Sequence, residues 1–165
     1  MRLLIIRHAI AVPHGTPGVA EDERPLTPRG VRRFRAAARG LARICPRPGV
    51  VLTSPLVRAR QTADLAAAAW GRVEPRDEKS LAGGSFEEVA AAVERHASRK
   101  LVAIVGHEPQ LSAILAHLLG STEAERFTFK KGGAALVDVP ERLAQGAALV
   151  WYAPPRLLRA AAGES

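Results

Sequence analysis

Short apolar runs of strand length alternate along the chain with longer stretches of helical period. Residues 2–6 (RLLII) read as a first strand, cut off at once by Arg7 and His8. Thr27-Pro28-Arg29 has the form of a helix start, with a hydroxyl to cap free N–H groups and a proline where a missing N–H costs nothing. Behind it Val31, Phe34, Ala38, Leu41 and Cys45 recur at helical spacing. Residues 49–53 (GVVLT) predict a second strand, followed by a helix through Trp70 that carries the alanine run 66–69. A weak third strand falls at residues 72–76, a helix at 86–98, a fully apolar strand at 101–105 (LVAIV) and a further helix at 110–119. Residues 134–139 and 147–152, set off by Gly132, Gly133 and Gly146, predict two closing strands that pair antiparallel.

This alternation predicts an α/β fold of three layers, α/β/α, with a mostly parallel open sheet, helices on both faces and one antiparallel edge strand. LVAIV, apolar at every position, fits a strand covered on both sides. Pro46, Pro48, Pro154 and Pro155 punctuate loops, and residues 156–165 are expected as a frayed terminal segment. The 165 residues read as a single domain, 1–165. A chain of this length buries about 70% of its unfolded surface and needs no disulfide or metal staple.

Composition narrows the class. Apolar residues at 47% and charged ones at 24% are ordinary globular values and argue against a disordered, collagenous or membrane protein. The lone cysteine, Cys45, supports neither an internal disulfide nor a Cys-based zinc site, which points to a reducing compartment. The opening apolar run is far shorter than the about 20 residues of a membrane helix or the about 7–15 of a signal peptide core. A cytoplasmic protein without membrane contact is the expectation. The net charge is +8, and the densest basic cluster is Arg29, Arg32, Arg33, Arg35, Arg39, Arg43 and Arg47. Most of these fall opposite the apolar stripe of one helix, with only Phe34 among them to stack on a base. They read as a solvated helix face, and no nucleic-acid partner is expected.

Candidate chemistry comes from topology. In an open α/β sheet, ligands bind beyond the carboxyl ends of the strands. The strand at 2–6 ends in Arg7-His8, and LVAIV ends in Gly106-His107. The strand at 49–53 ends in Ser54-Pro55, with Arg58 in the first turn of the next helix. Two histidines and two arginines thus meet at one rim. Arg-His-Ala recurs at residues 95–97, inside a helical stretch with no strand end to aim it, and reads as surface sequence. His14 has no assignment, and His117 reads as a helix-face residue.

Paired histidines also suggest zinc, for which Asp22, Glu23 or Glu108 would be the third ligand. Arg7 and Arg58 would repel a dication, so no metal and no cofactor is expected. Arginine forks instead match phosphate oxygens and never lose their charge. Two arginines and a protonated histidine would neutralise a transferring phosphoryl group without magnesium. The other histidine, kept neutral by its arginine neighbours, would attack phosphorus and form a phosphohistidine.

Four segments then carry a resemblance: LLIIRHA at 3–9, ERPLTPRG at 23–30, LTSPLVRARQT at 52–62 and IVGHEPQLS at 104–112. In order and spacing they resemble the histidine phosphatase superfamily, with its phosphoglycerate mutase-like fold, and above all its SixA-type phosphohistidine phosphatases. That branch is small and lacks an inserted cap domain. The likeness runs from about residue 2 to residue 152. It implies His8 as the phosphorylated nucleophile, Arg7 and Arg58 as holders of the phosphoryl oxygens, and His107 as the second pocket histidine. Arg24 would line the mouth, and Ser54 would shape the turn that aims Arg58.

Larger relatives supply a carboxylate general acid after the third strand. Here that stretch reads Glu78-Lys79-Ser80-Leu81-Ala82-Gly83-Gly84, which has Glu78 but not their pattern around it. Its 81–84 portion looks SixA-type. A missing strong acid suits a phosphohistidine, which departs as neutral imidazole, better than an alkoxide leaving group. The resemblance therefore implies a metal-independent phosphatase of phosphohistidine on proteins. The alternatives are a phosphatase of small phosphorylated metabolites or nucleotides and a non-catalytic phosphoryl-binding module. The Arg-rich flank would attract acidic partners.

Overall fold

A computed structural model describes residues 1–71, 73–140, 142–144 and 146–163. The elements in order are β1 (Arg2–Arg7), α1 (Pro28–Ile44), β2 (Val50–Thr53), α2 (Val57–Trp70), β3 (Pro75–Asp77) and α3 (Phe86–Glu94). They continue with β4 (Leu101–Gly106), α4 (Gln110–Leu118), β5 (Ala134–Asp138), β6 (Ala148–Ala153) and α5 (Pro155–Ala161). No helix among the described residues is long and apolar enough to cross a membrane.

The six strands form one sheet in the order β3-β2-β4-β1-β5-β6. β3, β2, β4 and β1 are mutually parallel, whereas β5 runs antiparallel to both β1 and β6. The reversed strand is therefore β5, and it lies one place in from the edge because β6 pairs outside it. Alternate residues of each strand face opposite sides. Leu4, Ile6, Val51, Ala103 and Val105 pack with Phe34 and Leu41 of α1 and with Ala63 of α2. Leu3, Ile5, Leu52, Val102 and Ile104 pack with Val89 and Val93 of α3 and with Leu111 and Leu115 of α4. That double coverage is why β1 and β4 are apolar almost without interruption.

Thr27 caps α1 as expected, its Oγ1 accepting the Gly30 N–H at 2.9 Å. Gly30 has a second role: a Cβ there would sit 2.0 Å from the carbonyl oxygen of Ile10, so only glycine lets α1 rest on the chain just after His8. The arginines of α1 named above face solvent, while Phe34, Ala38, Leu41 and Cys45 are buried.

Three boundaries differ from the sequence expectation. β3 is short and later than 72–76, at Pro75–Asp77, and Arg72 lies outside the described residues. α3 stops at Glu94 because its buried stripe of Val89, Ala90, Ala92 and Val93 ends there; the polar residues after it form turns leading to β4. The expected frayed segment 156–165 is instead largely helix. α5 places Leu158, 1% exposed, in the same core as Leu41. Glu164 and Ser165 lie outside the described residues.

Candidate active site

β2, β4 and β1 lie side by side, and Ser54, His107 and His8 follow their carboxyl ends in that order. Register pairs Arg7 with Gly106, and the His8 N–H donates to the Gly106 carbonyl at 3.0 Å. The two imidazoles are consequently neighbours, with ring centres 5.0 Å apart and planes inclined by 50°.

His8 is 6% exposed, and its Nδ1 lies 2.7 Å from the carbonyl oxygen of Ala9. A carbonyl only accepts, so Nδ1 carries the proton and the lone pair of the neutral ring is on Nε2. Burial first, then the charges of His107, Arg58 and Arg7, push its pKa down to about 3, against the opposing pull of the Ala9 carbonyl. The ring is thus neutral near pH 7, the state a nucleophile requires.

His107 is held neutral as well. Burial, followed by Arg58, Arg24 and Arg7, lowers its pKa to about 4, opposed by Glu21. The protonated histidine expected from the sequence is therefore not what the protein alone sets up; an incoming dianion would oppose this shift. His107 Nε2 lies 2.8 Å from Ser54 Oγ, which also accepts the Leu56 N–H at 3.3 Å. Ser54 shapes the turn before α2, as expected, and in addition fixes the second histidine.

The guanidiniums are fastened by backbone oxygens. Arg7 Nη1 donates to the Phe129 carbonyl, and Arg58 Nη1 donates to the Glu21 carbonyl at 2.7 Å. Arg24 Nη1 donates to the Val12 carbonyl at 2.7 Å. One carboxylate joins two of them: Glu21 Oε1 lies 2.6 Å from Arg24 Nη2 and 3.3 Å from Arg58 Nη2. Hydrogen bonds first from Arg24 and then from His14 lower the Glu21 pKa to about 2. Thr62 ties Arg58 to the loop that follows His8, its Oγ1 donating to the Arg58 carbonyl at 2.6 Å and accepting the Ala9 N–H at 3.0 Å.

Buried polar atoms normally find partners. Among the described residues the buried side-chain atoms without one are Arg7 Nε, Arg24 Nε, Arg58 Nε, His107 Nδ1 and Gln110 Oε1. Four of these five belong to residues singled out by the sequence, and all four can carry an N–H. Donors stranded in this way, on guanidiniums whose charges all act on His107 and, for Arg7 and Arg58, on His8 as well, suit an anion with several oxygens.

Other candidates have structural work. Glu78 accepts from Ser80 at 2.9 Å and from Arg95 at 2.7 Å, capping the turn that follows β3. Glu108 accepts the Phe129 N–H at 2.6 Å and the Ser112 hydroxyl, so its oxygens are committed to the protein. His117 stacks on Phe86 with ring centres 3.9 Å apart, and exposed His14 pairs with Glu21 at 2.6 Å. Sequence reading missed Glu21 and Thr62, whose bonds span 37 and 53 residues, and the link from Glu108 through Phe129 to Arg7. The only signal was the acidic run before Arg24 and the adjacency of Glu108 to His107.

Comparison with known proteins places this arrangement. Residues 3–90 match the model of the histidine phosphatase superfamily (branch 1), and the chain belongs to that family, whose class is that of a phosphatase. Its fold is SixA-like. The structure of the protein histidine phosphatase SixA complexed with tungstate superposes with a TM-score of 0.83 at 24% identity, over 96% of this chain and 99% of that one. A structure from Nakamurella multipartitia, provisionally assigned as a phosphohistidine phosphatase SixA, gives 0.76 at 30% identity over 92% and 94%. An uncharacterized protein of Picosynechococcus sp. is 36% identical over 138 residues, 81% of this chain and 82% of its own. The fold is also that of the alpha-ribazole phosphatase from Shigella flexneri, with a TM-score of 0.75 at 19% identity over 94% and 97%.

Proposed function

We propose that this phosphatase works through a covalent phosphohistidine on His8, without a metal, and that it removes phosphoryl groups from histidine on other proteins. The observation that carries the reading is the Nδ1 contact with the Ala9 carbonyl, which leaves the Nε2 lone pair of a neutral ring free to attack. Nε2 bonds to phosphorus as the bond from phosphorus to the carrier's imidazolium nitrogen breaks, and its electron pair returns to that nitrogen. Arg7, Arg58 and Arg24 hold the phosphoryl oxygens through their unpaired Nε–H groups, with His107 Nδ1 beside them. Water then attacks phosphorus, the bond to Nε2 breaks, and the water's protons leave with the phosphate.

The substrate reading rests on the leaving group. The carboxylates Glu21, Glu78 and Glu108 are bound to Arg24, Arg95 and Phe129 respectively. With their oxygens engaged in this way, none is placed to hand a proton to an alkoxide. A phosphoimidazolium needs none, since it departs as neutral imidazole. The fold shared with an alpha-ribazole phosphatase favours, as the second reading, a small phosphorylated metabolite.

An alkaline detergent quench during turnover of a labelled phosphohistidine protein, set beside rates on sugar phosphates, tests both parts. A phosphoenzyme labile to acid and stable to alkali is expected, and it should vanish in His8→Ala. Sugar phosphates cleared far faster than phosphohistidine would overturn the substrate reading and leave the mechanism standing.

A further inference from the structure

A cavity of about 330 Å³ opens beside the site, its wall running from Ala9 and Ile10, the residues directly after His8, to Gly132. Gly132 is part of the nucleophile's support, since its N–H donates to the His8 carbonyl at 3.1 Å. The floor is Phe34, Pro154 and Pro155. Around it stand Arg33, Lys130, Lys131, Arg156 and Arg159, from α1, the chain before β5, and α5, and no lining residue is acidic. Lys130 and Lys131 are two of only four lysines in the chain.

Some surface cations are paired with the protein's own carboxylates: Arg2 with Asp138, Arg60 with Asp64 and Asp77, Arg95 with Glu78, Arg126 with Glu123. Among the described residues, Arg33, Lys130, Lys131 and Arg156 have no such partner. These four are exposed, whereas the buried part of the lining, Ala9, Gly30, Phe34 and Gly132, offers no polar side chain. A small-molecule site fixes its ligand with a few buried polar groups. This groove has none, and carries its charge on long mobile side chains above an apolar floor. That is the pattern of a docking surface for an acidic polypeptide.

We propose that this groove docks an acidic segment flanking the phosphohistidine of the partner protein, delivering the phosphoryl group to His8. The proposal rests on the substrate reading above and adds to it the surface that selects the carrier.

Two synthetic peptides with one phosphohistidine each, one flanked by Asp and Glu and one by Ser and Ala, test it. The wild type should favour the acidic peptide roughly tenfold in kcat/KM at low salt, mainly through KM, and the preference should fade as salt rises. Lys130→Glu with Lys131→Glu should abolish the preference and leave the neutral peptide within about twofold; Arg33→Glu or Arg156→Glu should reduce it. No preference in the wild type, or a preference that survives in the double variant, overturns the proposal. Equal loss on both peptides overturns it too, by assigning the lysines to the phosphoryl seat. Anisotropy of the acidic peptide on His8→Ala reads the groove without turnover. Binding that is lost on charge reversal would uphold the groove even if no phosphohistidine were hydrolysed.

Discussion

The hydroxyl oxygen of Ser54, at the end of β2, lies 2.8 Å from Nε2 of His107, at the end of β4. The two strands are hydrogen-bonded neighbours, so this contact is made by sheet register and not by loop chance. It fixes the ring so that Nδ1 is the atom left without a partner. Ser54→Ala should therefore leave the imidazole free to reorient. We expect kcat to fall about tenfold with KM little changed, and stability to fall by about 1 kcal/mol, the scale of one lost hydrogen bond. Ser54→Thr, which keeps the hydroxyl, should recover part of kcat. Steady-state kinetics with a small phosphoramidate checks both; an unchanged kcat in the alanine variant would remove Ser54 from the positioning of His107.

The depressed histidines make a signed pH prediction. His8 at about 3 and His107 at about 4 are below the ordinary 6.5, so between those values the unfolded chain binds more protons than the native one. Stability therefore falls as pH drops from 6.5, by at most about 1.4 kcal/mol per pH unit per histidine. Urea midpoints at pH 7 and pH 5 should differ less in a His8→Ala, His107→Ala double variant than in the wild type. Imidazole NMR resonances of both residues should stay flat from pH 8 to pH 5. A midpoint near 6.5 for His8 would contradict its burial beside Arg58.

Glu108 is linked to Arg7 through the backbone of one residue, Phe129. Its carboxylate accepts the Phe129 N–H at 2.6 Å, and the Phe129 carbonyl accepts from Arg7. Glu108→Ala should let the Phe129 backbone, and the guanidinium it holds, drift. The Ki of orthophosphate should rise about tenfold, on the scale of 1.4 kcal/mol of charge-assisted bonding. Glu108→Gln, which keeps an acceptor oxygen, should lie between. Equal inhibition constants in all three proteins would show that Arg7 is held by its own strand alone.

Arg58 is 6% exposed, with two donors spent on Glu21 and its Nε unpaired. Arg58→Lys keeps the charge and loses the fork, and one or more decades in kcat/KM should go with it. His96→Ala, in the second Arg-His-Ala, should be silent. Retained activity in the lysine variant would place the phosphoryl group elsewhere.

The parts of this molecule that were legible in the sequence are those written in local pattern. β1 and β4 are apolar runs with abrupt polar ends, so the position of His8 and His107 beyond the sheet followed from chain order and one rule about open α/β folds. Arg58 was legible because a strand, a tight turn and a helix start stand in a dozen residues. Contacts that depend on distant segments left no local trace. Glu21 meets Arg58 across 37 residues, and nothing in its neighbourhood has a period. The depth of the pocket, which turns a protonated histidine into a neutral one, is a property of packing and cannot be read from residue types. α5 was missed for a related reason: a proline followed by six residues of alanine, leucine and arginine is too short a stretch to show periodicity, and the feature that seats it lies in another helix.

That feature is Gly40, in the middle of α1, where a Cβ would sit 1.7 Å from the Leu158 carbonyl oxygen. A glycine inside a helix ordinarily costs about 0.5–1 kcal/mol relative to alanine. Were residues 156–165 frayed, Gly40→Ala would therefore stabilise the protein. With α5 lying against the backbone of α1, the same substitution must push the two helices apart, at about 1–3 kcal/mol. The sign of the change decides between the two states of the C-terminal segment. For a chain of this length, each kcal/mol moves Tm by about 2–4 °C, so Gly40→Ala should melt several degrees lower. Leu158→Ala should cost about 2–5 kcal/mol, since it empties a fully enclosed position. Turnover of a small phosphoramidate by the folded variants should be nearly unchanged, because neither residue borders His8. A rise in Tm for Gly40→Ala would mean that α5 does not rest on α1.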